Sequence, residues 1–150
     1  MSSSDREPQA SLIVGTELRE LSRVSAWVQD WAQRQRLPIR VAQHLDLCSA
    51  EVVSNVMNYA GRDEGSQRVL LRLGWQGEVV ALEVEDEGRP FDPLQAMEPA
   101  PVKSLDDARI GGWGIPLVRR FSDGMHYRRE DGRNRLTLLF RPTAPPRRPG

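Results

Sequence analysis

The chain has 150 residues, enough for one domain with a substantial hydrophobic core. Its 21 Lys and Arg residues equal its 21 Asp and Glu residues, so it has no general attraction to nucleic acid or to anionic membranes. The single cysteine excludes an internal disulfide. No apolar run approaches the roughly 18 residues of a membrane span, and the polar start does not resemble a signal peptide. We therefore expect a soluble cytoplasmic protein.

Both ends of the chain are polar and are expected to be disordered tails, at residues 1–10 and 142–150, on either side of one domain at 11–141. Within this domain the first apolar run predicts a short strand over residues 12–14. Helical spacing of apolar residues begins after Thr16, a reasonable N-cap. The domain is therefore expected to begin with a strand and then a helix.

The first predicted helix continues until Leu37-Pro38, because proline ends the apolar repeat. A second helix is predicted from about Arg40 to Tyr59, ending near Gly61. Its apolar stripe includes Cys48, for which packing is the natural role.

The repeat then changes to period two, which is typical of half-buried strands. Two β-hairpins are predicted, over residues 69–84 around Gln76-Gly77 and over 125–140 around Asp131-Gly132. Residues 88–110 between them contain several prolines, and so long an irregular stretch often serves as a lid. A third helix is expected to start at residues 114–116.

The order of these elements predicts an α+β fold. It is expected to be a two-layer sandwich, in which a mixed, mostly antiparallel sheet carries helices on one face.

Glu51 and Asn55 lie four residues apart on the second helix and therefore on the same face, one turn apart. One interpretation is a solvated polar face. The other is that the Asn55 amide oxygen holds Mg²⁺, while Glu51 orients or deprotonates the group that attacks a phosphate.

Asp86 and Gly88 follow a predicted strand, and Gly111, Gly112 and Gly114 precede a predicted helix. The Asp86 carboxylate can accept a hydrogen bond from an exocyclic amine such as that of adenine, and Gly88 lets the backbone approach the base. Glycines before a helix can turn backbone N–H groups toward phosphate. An ordinary strand exit and a flexible loop are the alternatives.

The order and spacing of these three motifs resemble the ATP-binding domain shared by gyrase, Hsp90 chaperones, histidine kinases and MutL proteins, the Bergerat fold. Within this superfamily, the short single domain is most similar to the anti-sigma-factor serine/threonine kinases of bacteria. The resemblance covers about residues 12–141.

The resemblance implies roles for individual residues. Glu51 matches the general base and Asn55 the asparagine that holds Mg²⁺, so that ATP and Mg²⁺ are the implied cofactors. The implied nucleotide contacts are Asn55, Asn58, Asp86, Gly88, Lys103, Gly112, Trp113, Gly114 and Thr137. The sequence departs from the family at Trp113, where a smaller or aliphatic residue is usual, and at Pro116.

The resemblance further implies a kinase that phosphorylates a small antagonist protein and sequesters a sigma factor by partner switching, with homodimerisation common among its relatives. Two alternatives stay open. The protein could be a regulatory ATP-binding module that sequesters a partner without catalysis, or the catalytic module of a histidine kinase acting on a separate protein. Acid stability of the phosphorylated product distinguishes the second alternative from a serine/threonine kinase.

Overall fold

A computed structural model describes residues 9–59, 68–88, 90, 92 and 114–143. The elements in this part of the chain are, in order, β1 (Ala10–Val14), α1 (Glu20–Arg34), α2 (Ile39–Tyr59), β2 (Val69–Gln76), β3 (Val79–Asp86), α3 (Gly114–Phe121), β4 (Gly124–Glu130) and β5 (Arg133–Phe140). None of these helices is both long and apolar enough to cross a membrane.

The five strands form one open sheet in the order β1-β2-β3-β5-β4. All four pairings between these strands are antiparallel, where the sequence predicted a mixed, mostly antiparallel sheet. The predicted α+β sandwich is confirmed. The two hairpins are confirmed as well, with turns at Gly77 and at Asp131-Gly132, all three of which have positive φ.

The core lies between the helices and one face of the sheet. Alternate residues of the central strands point inward, as period two requires, and α1 and α2 add their own apolar stripes. Representative members that are fully shielded from solvent are Val24, Val28, Leu45, Leu71, Leu82 and Leu138. Burial of one such aliphatic side chain contributes about 1.5–3 kcal/mol, so the core holds the site-bearing elements α2, β3 and β5 together.

The opposite face of the sheet carries an ion-pair network centred on Glu85, which is only 6% exposed. Arg135 approaches the Glu85 carboxylate at 3.0 Å, Arg133 at 3.1 Å and Arg72 at 3.8 Å. Three guanidinium groups around one carboxylate compensate for the loss of its hydration. Ion pairs therefore occupy several of the outward positions of β2, β3 and β5.

The N-terminal boundaries differ from those predicted. β1 begins at Ala10, which the sequence placed in the tail. α1 begins at Glu20 rather than directly after Thr16, and no side chain caps its first turn. Instead Glu20 Oε1 accepts a hydrogen bond of 2.9 Å from the Gly15 N–H, and this bond, followed by Arg23, lowers the pKa of Glu20. The Glu20 carboxylate in the first turn thus ties the helix start to the end of β1, and the expected Thr16 cap is absent.

Candidate nucleotide site

Asn55, on the inner side of α2, is the most unusual polar residue in the described part of the chain. It is 3% exposed, and neither Oδ1 nor Nδ2 has a hydrogen-bond partner among the described residues. A buried polar group without a partner costs about 1–3 kcal/mol. The solvated polar face is therefore excluded for Asn55, and its amide has both polar atoms available for a group outside the described residues.

Glu51 lies one turn before Asn55 and is half-buried. Partial burial removes water from the carboxylate and raises the pKa of Glu51. A carboxylate with a raised pKa is a better proton acceptor when ionised. α2 thus presents a carboxylate and a neutral amide one turn apart, the arrangement that the sequence predicted.

Asp86, the last residue of β3, is 5% exposed and is held by two donors. The backbone N–H of Gly88 donates to Asp86 Oδ1 at 2.8 Å, and Asn134 Nδ2 donates to the same oxygen at 3.1 Å. Burial raises the pKa of Asp86, although the bonds from Asn134 and Gly88 and the charge of Arg129 oppose the shift. This carboxylate lies on the helix-facing side of the sheet, in the set of Val80, Leu82 and Val84.

Tyr127 and Arg129, on β4, complete the surroundings of Asp86. Tyr127 Oη donates to Asn134 Oδ1 at 2.6 Å. Arg129 Nη1 donates to the carbonyl oxygen of Gly88 at 2.7 Å. The strand register explains this convergence, because Asp86 pairs with Asn134 and Asn134 pairs with Arg129.

The sequence did not indicate three residues of this group as site residues, namely Asn134, Tyr127 and Arg129. A signal for Asn134 was nevertheless present, since the inward repeat of Leu136, Leu138 and Phe140 extends back to position 134. A polar residue on an otherwise apolar inward stripe is a candidate site residue.

Thr137 does not belong to this group. It pairs with Glu83 on β3 and with His126 on β4, on the face opposite to Asp86 and Asn134. The structure therefore places Thr137 on the other side of the sheet from Asp86, away from the nucleotide contacts expected there, because one position along a strand changes the face of the sheet. The β5 residue that lies beside Asp86 is Asn134.

The remaining predicted contacts are placed only in part. Asn58 is half-buried in the last turn of α2, and Gly114 begins α3, as predicted. Lys103, Gly112 and Trp113, together with most of the expected lid, lie outside the described residues.

α3 is anchored on α2 through Val118 and Cys48, both fully buried. Cys48 Sγ lies 4.0 Å from the carbonyl oxygen of Val118, and burial raises the pKa of its thiol to about 12. Cys48 is therefore a packing residue, and it fixes the helix that follows the glycine motif against the helix that carries Glu51 and Asn55.

A cluster of three or more His, Cys, Asp or Glu side chains suited to a metal ion does not occur among the described residues. Mg²⁺, however, is commonly bound by one or two protein groups together with substrate phosphates and water. The Asn55 Oδ1 atom, which accepts no hydrogen bond in the described part of the chain, fits that kind of ligation.

Residues 14–140 match the family model of the histidine kinase-like ATPase domain, and the chain belongs to this family. Membership implies an ATP-binding site. Among individual proteins, the chain is similar to the serine/threonine-protein kinase BtrW of Bordetella bronchiseptica, with 37% identity over 112 residues that cover 75% of this chain and 79% of BtrW. The resemblance drawn from the sequence is confirmed.

Two solved structures share the fold at lower identity. The RsbU and RsbW domains of Rv1364c from Mycobacterium tuberculosis match 94% of this chain with a TM-score of 0.64 and 16% identity, and this chain spans 34% of that structure. The histidine kinase domain of the blue-light activated histidine kinase EL346 from Erythrobacter litoralis matches 86% of this chain with a TM-score of 0.53 and 19% identity. This chain spans 62% of that second structure. Because the two identities are only 16% and 19%, the likenesses support the fold alone.

Proposed function

We propose that this protein is an ATP-dependent serine/threonine kinase and anti-sigma factor, which phosphorylates a small antagonist protein and sequesters a sigma factor by partner switching. The observation that carries the proposal is the buried amide of Asn55, one turn after Glu51, which has no hydrogen-bond partner within residues 9–59, 68–88, 90, 92 and 114–143. The similarity to BtrW, a serine/threonine-protein kinase by name, supports the same activity.

The residues fit Mg²⁺ and ATP in complementary ways. Asn55 would hold Mg²⁺ through Oδ1, and its buried position explains why a neutral ligand is used where a second carboxylate would add charge. When bound, the metal neutralises charge on the phosphates.

Asp86 would accept a hydrogen bond from the adenine amino group, since the two hydrogen bonds that it already accepts both end on Oδ1. Asn58, Gly112, Gly114 and Lys103 are proposed to complete the nucleotide contacts.

Glu51 would act as the general base. The hydroxyl oxygen of the substrate serine or threonine forms a bond to the γ-phosphorus, the bond to the ADP oxygen breaks, and the hydroxyl proton passes to the Glu51 carboxylate. Burial of Glu51 raises its pKa and so increases its affinity for that proton.

We further propose that the protein acts in the cytoplasm, where a sigma factor and its antagonist compete for it, and that it forms a homodimer.

Phosphate transfer from labelled ATP tests the proposal. Purified protein, Mg²⁺ and each candidate antagonist are incubated with [γ-³²P]ATP, alongside the Glu51→Gln variant and the control Glu78→Gln. Glu78 is an exposed glutamate in the β2–β3 turn, away from α2. We expect an acid-stable phosphoester on the antagonist with wild type and with Glu78→Gln, and loss of transfer with Glu51→Gln.

Other outcomes decide between the alternatives. If ATP binds but no label reaches any candidate partner, the kinase proposal fails and the sequestering module is favoured. An acid-labile phosphoramidate on the partner would instead indicate a histidine kinase module.

A further inference from the structure

A chain of hydrogen bonds runs from β4 to the carboxylate of Asp86. Tyr127 Oη is 2.6 Å from Asn134 Oδ1, and Asn134 Nδ2 is 3.1 Å from Asp86 Oδ1. The chemistry of the groups fixes the direction of each bond. An ionised carboxylate only accepts, so the Asn134 NH₂ group faces Asp86, and the Tyr127 hydroxyl then donates to the remaining amide oxygen.

The orientation of the Asp86 carboxylate follows from its donors. Asn134 Nδ2 and the Gly88 N–H both end on Oδ1, while Oδ2 accepts no hydrogen bond from the described residues. Two donors on one oxygen restrict rotation about the bond that carries the carboxylate. The second oxygen is thereby presented in one direction as an acceptor.

Tyr127 contributes by fixing the Asn134 amide. An asparagine side chain can exchange its oxygen and nitrogen by a half-turn at little steric cost. That half-turn would put the amide oxygen against the Asp86 carboxylate, and it would also break the bond that Tyr127 donates to Oδ1 and make its hydroxyl turn from donor to acceptor. Both Asp86 and Asn134 are 5% exposed, so water is a poor substitute for either bond.

We propose that Tyr127 and Asn134 are positioning residues that fix Asp86 as an acceptor for an amino group, so that the site selects 6-aminopurine over 6-oxopurine nucleotides. This inference rests on the proposed nucleotide site. An amino group donates to the fixed Asp86 oxygen, whereas a 6-oxo group places its lone pairs against it and leaves both groups unpaired. The selectivity of Asp86 thus depends on two residues that themselves contact no base.

Binding of MgATP and MgITP, measured by isothermal titration calorimetry, tests this inference because the two purines differ at the 6-position. The variants are Tyr127→Phe, which keeps the ring, Asn134→Ala, and the double variant. Thr137→Val is the matched control, since Thr137 lies on the same strand as Asn134 but on the opposite face.

We expect each single variant to weaken ATP binding about tenfold, because one buried hydrogen bond in a charged network is lost. Binding of ITP should change less than about twofold. The preference for ATP over ITP then falls about tenfold. Because Tyr127 acts through Asn134, the double variant should bind ATP no more weakly than Asn134→Ala. Thr137→Val should keep the wild-type preference.

Equal losses for ATP and ITP would mean a merely structural role and would overturn the inference. An unchanged preference for ATP over ITP in Tyr127→Phe would overturn the inference as well. If a thermal melt shows that Asn134→Ala is unfolded, the Tyr127→Phe result decides alone. Failure of the wild type to bind either nucleotide overturns the proposed function itself, and that outcome is separate from the behaviour of the variants.

Discussion

Arg129 on β4 holds the peptide of Gly88, which follows β3, through a 2.7 Å hydrogen bond from Nη1 to the Gly88 carbonyl oxygen. The same glycine donates its N–H to Asp86. Both polar groups of the Gly88 residue are therefore fixed, one by the carboxylate and the other by a guanidinium group. The chain leaves the sheet at this point in a defined direction.

Replacing Arg129 should therefore weaken nucleotide binding without unfolding the protein. We expect Arg129→Met to raise the Kd for MgATP about fivefold, because one charge-assisted hydrogen bond to the Asp86–Gly88 turn is lost. Arg128→Met is the control, since Arg128 lies on the opposite face of β4 and pairs with the exposed Glu130. Calorimetric titration measures both, and equal Kd values for the two variants would contradict the prediction.

Asn55→Leu should make the protein more stable and unable to bind MgATP. Leucine removes a buried amide that lacks partners among the described residues, so the free energy of unfolding should rise by about 1–3 kcal/mol. Urea denaturation and calorimetry measure the two effects. Ser49→Ala on the same helix is the control: the Ser49 hydroxyl donates to the Asp46 carbonyl, so its loss should leave ATP binding intact. A destabilised Asn55→Leu variant would show that the amide is satisfied in the native state.

Phosphate transfer should depend on the ionisation of Glu51. Burial raises the pKa of Glu51, so transfer should fall as the pH is lowered through a value above the usual glutamate pKa of about 4.3. The measurement is kcat/KM for phosphate transfer as a function of pH. Circular dichroism at each pH checks that the wild-type protein is still folded. Glu51→Gln should give a flat, residual profile. An acid limb that persists in Glu51→Gln would assign the titration to another group.

The same pKa shift makes Glu51 unfavourable for stability at neutral pH. A carboxyl whose pKa is higher in the folded than in the unfolded chain contributes stability below the unfolded pKa, and this contribution is lost as the pH rises through the folded pKa. Glu51→Gln should therefore melt at a higher temperature than wild type at pH 7, with the difference shrinking toward pH 4. Glu78→Gln, at an exposed position, should show no such trend. A lower melting temperature for Glu51→Gln at pH 7 would refute the assignment.

Cys48 should resist alkylation in the native protein. Its side chain is fully buried, and a thiol pKa of about 12 leaves almost no thiolate at pH 8. Labelling by iodoacetamide should be slower than in denaturant by a factor of at least about 10³, since it requires opening of the α2–α3 contact. Cys48 is the sole cysteine, so mass spectrometry follows one site. Labelling at the rate of the denatured chain would mean that α3 is not packed as described.

The periodicity of the sequence was sufficient for the helices and hairpins but not for the orientation of polar side chains. Helical spacing put Glu51 and Asn55 on one face of α2, yet it could not show that Asn55 is buried and Glu51 only half-buried. That difference arises from where α2 lies on the sheet, which is a property of tertiary packing. Thr137 was a different case, because the alternation of Leu136 and Leu138 already placed it on the outer face.

The partners of Asp86 were hidden for another reason. Asn134 and Arg129 reach Asp86 and Gly88 only because β5 lies between β3 and β4, an order that no local pattern specifies. A chain-order meander would have put β4 beside β3 and so separated Asn134 from Asp86. Long-range strand order is therefore the part of the site that the sequence could not supply, whereas the Asp86-x-Gly88 motif was visible locally.

The bond from Asn134 to Asp86 joins residues 48 positions apart. The proposed base-recognising half of the site therefore requires β5 to dock beside β3, which brings together residues that lie far apart along the chain. At the proposed site ATP would bind only the chain that has completed this step, and a ligand that binds only the native state stabilises it by about 2.7 kcal/mol at one hundred times its Kd. The lifetime of the folded protein would then follow the supply of ATP in its surroundings, so that nucleotide depletion would favour its unfolding and degradation.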